Sequence, residues 1–181
     1  MQEQQKLERA QLKEALSTRN RFIEYLRQLS EEGDRQALKE LRKAVKRHEH
    51  QPERNYFESQ VNATSILLEK VSYTVKNNGS VAYLIDNKEA VIDSREWVSV
   101  IQNENDEAIE LAIRLALEKN GYRPLTLNGD ELFTKNVLRV AQEKNIKLSF
   151  DNDEINREFN QGTEKISDAL NSNFSGNKHR N

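Results

Sequence analysis

The sequence predicts an α+β protein: an N-terminal helical hairpin, then an antiparallel meander with packed helices and one strand–helix–strand unit. Three observations lead there. Apolar residues in the first 50 positions recur at helical spacing, with no proline and a single glycine. From Val71 the apolar period changes to two, between short turn signals. Beyond Asn103 the helical period returns twice, on either side of a short apolar run.

Each element follows from its residues. Leu12, Leu16, Ile23 and Leu26 line one face of a first helix, interrupted at Arg19, and Leu38, Leu41 and Val45 line a second. Between them Gly33 suits the left-handed C′ position and Asp34 the N-cap, which predicts helices over 5–32 and 35–49. Pro52 ends the pair, because it supplies no amide donor and disfavours helix at the residue before it. Residues 54–70 read equally as a helix or as a loop with a short strand.

Tyr73 and Val75 alternate with polar neighbours ahead of Asn77-Asn78-Gly79, a hairpin signal, and Val81, Tyr83 and Ile85 alternate on the returning strand. Asp86-Asn87-Lys88 makes a second turn before Ala90-Val91-Ile92, and Trp97–Ile101 makes a fourth strand, with Trp97 expected to anchor sheet to helix. Asn103–Asp106 supplies caps and acidic groups for a helix through Lys119, whose wide apolar band predicts deep packing and which Asn120-Gly121 ends. Leu125–Leu127, a helix over Asp130–Lys144 and a closing strand Ile146–Phe150 form the strand–helix–strand unit, which implies a parallel pair. Residues 152–172 read as a last helix with Ile155, Phe159, Ile166 and Leu170 inward, and 173–181 as a mobile polar tail. The organisation is then 1–55 helical linker region, 56–172 α+β domain and 173–181 tail.

Totals bound the function. The chain of 181 residues is 35% hydrophobic and 32% charged, enough for one core of moderate size with solvated helices around it. Absence of cysteine removes disulfides, thiolate nucleophiles and cysteine zinc sites together. No apolar run approaches the ~20 residues that span a bilayer and no signal-peptide pattern opens the sequence, so a cytoplasmic protein without membrane insertion is expected. Residues 1–55 carry 13 Lys and Arg against 10 Asp and Glu, while 56–181 carry 15 against 20, so a mildly basic front precedes an acidic body.

The candidate chemical groups are few. His48 and His50 do not face one another on a helix, no third ligand stands nearby, and His179 lies in the tail, so no metal or cofactor is expected. Glu131, Asp151 and Asp153 have the order of a toprim-like magnesium site, but N-caps of the helices that follow explain both clusters better. Asn128-Gly129-Asp130 has one glycine, too few for a phosphate-binding fingerprint. Lys39, Arg42, Lys43, Lys46 and Arg47 are the best basic set for DNA, of which Lys39, Lys43, Lys46 and Arg47 could face one surface, and Tyr73 and Tyr83 could share a face on neighbouring strands, where a base could stack. Solvated helix and cross-strand aromatic pair are the competing structural readings.

The order of short motifs carries a resemblance. Gly79–Asp86 leads to Ala90–Ser94; Asp106-Glu107-Ala108-Ile109 starts a helix ending near Gly121; Leu125–Phe133 leads into Val140–Ile146. Over about residues 72–155 this resembles the large polyvalent-protein-associated domain, type seven, found behind the nickase of many conjugative and mobilisation relaxases. The resemblance implies a noncatalytic C-terminal piece of a bacterial relaxase, since no nickase tyrosine and histidine cluster maps onto the sequence. It further implies recognition by the coupling protein and type IV secretion components, for translocation of relaxase-attached single-stranded DNA during plasmid mobilisation. The protein would be cytoplasmic in the donor and exported with the DNA to the recipient, with Lys178 and Arg180 of the tail as candidate signal residues. Alternatives are a single-stranded DNA-binding accessory module and a magnesium-dependent nucleotidyl-transfer domain. The sequence sets no oligomeric state.

Overall fold

The computed structural model describes residues 2–45, 52, 53, 55–59, 68 and 70–163. Helix α1 (Gln2–Glu31) runs about 45 Å at 1.5 Å per residue. It stops at Gly33, which has φ +99°, and the Asp34 amide reaches back to the Leu29 carbonyl at 3.0 Å. Asp34 then caps α2 (Arg35–Ala44) by accepting from the Gln36 and Ala37 amides. The expected hairpin is therefore present, and positions 46–49 of its second helix lie outside the described residues.

The apolar stripe of α1 divides in two. Leu26 is buried and Ile23 and Leu29 are half-buried against α2 and the sheet, whereas Leu12 and Leu16 are 62% and 49% exposed. The ten residues of α2 span only about 15 Å, so they cover the last part of α1 and leave the rest projecting.

A six-stranded antiparallel sheet follows, with β1 (Tyr56–Glu58), β2 (Tyr73–Val75), β3 (Val81–Ile85), β4 (Lys88–Asp93), β5 (Trp97–Val100) and β6 (Leu127–Asn128) in the order β2-β3-β4-β5-β1-β6. The meander β2–β5 is the expected one. Its second turn places Asp86 and Asn87 at φ +51° and +59°, the paired left-handed geometry that matches the twist of flanking strands. The edge strand β2 is covered by α1, whose Glu31 carboxylate accepts from the Val75 amide at 3.2 Å.

The ambiguous stretch contains a strand. β1 enters between β5 and β6, pairing Phe57 with Val98 on one side and Leu127 on the other. The closing strand expected over 146–150 is shorter: one parallel bridge joins Leu125 to Phe150, because β6 turns away to pair with β1. The parallel contact is present without a parallel strand pair. Helices α3 (Asp106–Lys119) and α4 (Glu131–Glu143) match their expected bounds, capped by Asn105 and Asp130. Helix α3 packs on β1, β4 and β5 and beside α4. A helical segment α5 (153–163) buries Phe159 edge-on against Phe150, while Ile166 and Leu170 lie outside the described residues. Trp97 packs edge-on against Tyr56, 5.7 Å between centroids, so its aromatic partner is on the neighbouring strand rather than on a helix.

Candidate functional site

Of the basic residues expected on α2, only Lys39 and Lys43 are both described and exposed; Lys46 and Arg47 lie outside the described residues. Lys43 pairs with Glu40 at 2.9 Å. Arg42 turns inward and is buried, so it offers no charge to a DNA backbone. Its Nε donates to the Gly79 carbonyl at 2.9 Å and its Nη2 to the Asp93 carbonyl and carboxylate at 3.1 and 2.9 Å. The other Asp93 oxygen accepts from Lys119 Nζ at 2.5 Å, and the same ammonium donates to the Ser94 carbonyl at 2.6 Å.

Two cations and one anion thus share a site from which water is excluded. Such a cluster survives burial only when its hydrogen bonds are satisfied, and here both carboxylate oxygens are used. It ties α2, the β2–β3 turn, the end of β4 and the last turn of α3 together. Gly79 completes the fit: its φ is +79°, and a Cβ there would stand 2.8 Å from the Arg42 Cγ.

The tyrosines form a cross-strand pair. Tyr73 lies directly opposite Tyr83, with centroids 6.0 Å apart and planes at 61°. Tyr83 is fully buried and presents no ring face to a base, which removes it as a stacking platform. Burial first, and then the Asp93 carboxylate, push its phenol up from the ordinary value. Tyr73 is half-buried and donates to the Ser30 and Glu31 carbonyls at 3.3 Å, tying β2 to the end of α1. Lys178 and Arg180 lie outside the described residues, as do His48, His50 and His179.

The acidic candidates do not assemble. Among the described residues no three His, Cys, Asp or Glu side chains are placed to hold a metal, so Glu131, Asp151 and Asp153 form no such group. Glu131 pairs with Lys135 one turn on, whose hydrogen bond holds the carboxyl below its ordinary value. Asp151 accepts from the Thr126 hydroxyl, and Asn152 caps α5 through the Glu154 and Ile155 amides. Asp130 caps α4 by accepting from the Phe133 amide at 2.8 Å, so the Asn128-Gly129-Asp130 turn places a carboxylate where an anion would sit.

A second ionic feature joins α3 to α4. Arg139 holds Asp106 with two hydrogen bonds of 2.6 and 2.8 Å, and those bonds hold the Asp106 carboxyl below its ordinary range. A depressed folded-state pKa contributes stability above the unfolded value, and the contribution fades as pH falls through the folded one. Arg139→Ala is therefore expected to cost less than about 1 kcal/mol at neutral pH, since the pair is half exposed and screened. Urea unfolding at neutral pH and again below the lowered pKa checks this. The gap between the two proteins should close in acid; a gap that widens there would contradict the assignment.

Sequence reasoning did not anticipate a groove of about 720 Å³ between the residues before β2 and the C-terminal ends of α3 and α4. Leu68, Val71, Leu111, Leu117 and Ile146 form its apolar floor, and Lys70, Arg114, Lys144 and Lys147 stand around it. Tyr122 lines one side, 74% exposed and at φ +59°. Its parts come from segments up to about 80 residues apart, so no local pattern announces it.

Among the described residues no helix is long and apolar enough to cross a membrane. A family profile described as Large polyvalent protein-associated domain 7 matches residues 68–162, from the floor of the groove to α5. No curated protein and no solved structure matches the chain. The match spans more than half of the 181 residues and includes β2 through α4. The chain belongs to the large polyvalent protein-associated domain 7 family.

Proposed function

We propose that this chain is a noncatalytic recognition module of a conjugative DNA-transfer relaxase. In this reading the coupling protein of a type IV secretion system engages it, so that the attached single strand is exported from donor to recipient. The family supports the general frame, a domain associated with large polyvalent proteins. The resemblance of residues 72–155 to the region behind relaxase nickases supports the finer one.

The observation that carries protein recognition over nucleic-acid binding is the projecting part of α1. Leu7, Leu12, Leu16, Phe22 and Tyr25 are all about half exposed or more on a helix whose end is fastened to the sheet. Exposed apolar side chains on a long helix gain from burial against another protein and gain little from phosphates. The DNA-binding alternative keeps Lys39 and Lys43 among the described residues, but Arg42 and Tyr83 are used by the core. A recombinase reporter fused to residues 1–181 tests the proposal in a donor with an active secretion system. Recombined recipients above the level of unfused reporter are expected; background transfer from a competent donor would contradict it.

A further inference from the structure

We propose that the groove between the C-terminal ends of α3 and α4 is a docking site for an acidic, apolar-anchored segment of a protein partner. This rests on the protein-recognition reading above and gives it a surface. The groove has a volume of about 720 Å³, and its floor is built from five aliphatic side chains. That floor selects apolar anchors.

The rim selects the sign of what flanks them. Arg114 and Lys144 already share Glu110, at 2.8 and 3.2 Å. Burial pushes the Glu110 carboxyl up, but hydrogen bonds from Arg114 and Lys144 outweigh it and hold the group below its ordinary value. Lys70 and Lys147 make no ion pair with any described residue and are exposed. Among the described lining residues Glu118 is the one acid, so the rim has cations in excess. Tyr122, held out beside them by left-handed backbone after α3, adds an amphipathic ring that can lie over an incoming side chain.

A nucleic acid fits less well. Its phosphates would run as a dense line over a body with 15 Lys and Arg against 20 Asp and Glu. A peptide carrying a few carboxylates beside apolar anchors places charge only at the rim, where Lys70 and Lys147 stand. Mode and chemistry agree: an amphipathic segment lays its apolar face in the groove and its acids on the lysines.

The test uses the full chain and three fluorescent probes. The first is an amphipathic peptide with leucine at i, i+3, i+4 and i+7 and glutamate elsewhere. The second replaces each glutamate by lysine, and the third is an oligothymidylate. The glutamate peptide is expected to bind at least about tenfold more tightly than its lysine counterpart. Lys70→Glu with Lys147→Glu, both exposed and removable without disturbing the core, should abolish or reverse that preference, while Lys39→Glu with Lys43→Glu should leave it unchanged. Equal binding of the two peptides, a preference that survives the groove variant, or oligothymidylate binding lost in that variant would each overturn the proposal. The export reading fails separately: peptide binding intact with no reporter transfer removes export and leaves the groove. Undiminished transfer by the groove variant, with peptide binding lost, shows that the coupling protein uses another surface.

Discussion

Asp93→Ala is expected to lower the unfolding free energy by about 3–5 kcal/mol, because it removes the carboxylate that two buried cations share. Arg42 and Lys119 are 8% and 3% exposed and cannot reach water without moving α2 or α3. Arg42 keeps the Gly79 carbonyl and Lys119 the Ser94 carbonyl, so the loss is electrostatic rather than a loss of every hydrogen bond. Lys119→Met should cost less, since Asp93 remains paired with Arg42. Replacing all three by apolar residues of similar volume should restore much of what Asp93→Ala removes, because a buried ion cluster is often no more stabilising than packed hydrocarbon. Urea titration of the three variants measures the order. A loss below about 1 kcal/mol for Asp93→Ala would mean that the cluster is solvated in solution.

Phe57→Ala is expected to cost about 3–5 kcal/mol by lost burial and the cavity left behind. Phe57 is fully buried in β1, between β5 and β6, and packs edge-on against Phe133 of α4 with centroids 6.4 Å apart. The neighbourhood is tight: a Cβ on Gly129 would stand 2.3 Å from the Phe133 ring. Truncation therefore loosens the seat of α4 as well as the sheet. Hydrogen exchange should show faster exchange in β1, β6 and the first turn of α4, with α1 and α2 little changed. A uniform change, or a denaturation midpoint near that of the unmodified protein, would place the core elsewhere.

These two positions show what a sequence discloses and what it hides. The meander was legible because Asn77-Asn78-Gly79 and Asp86-Asn87 are turn residues for a local, steric reason, and the helices because Asp34, Asn105 and Asp130 are cap residues. β1 was not. Three residues are too few for a period, and Tyr56–Glu58 is a strand because β5 and β6 offer it two open edges. For the same reason the run after Ile146 read as a strand, yet pairs at one residue.

The charged cluster did leave a signal. Arg42 follows Leu38 by four positions and Lys119 follows Leu115 by four, so each continues an apolar helical stripe, while Asp93 keeps the inward phase of Val91. Charge at an apolar phase, three times in one chain, marks ions that can meet inside. Reading Arg42 only with its basic neighbours put it on the surface. The groove left no comparable mark, since Lys70, Leu111, Tyr122 and Lys147 are brought together by the packing of α3, α4 and the residues before β2.

Calorimetric titration of the full chain with a purified coupling protein, at near-physiological salt and without DNA, tests the central claim most directly. Saturable binding in the micromolar range is predicted, unchanged when single-stranded DNA is added. No heat with the coupling protein, together with submicromolar single-stranded DNA binding that survives the same salt, would contradict it and make this a nucleic-acid module.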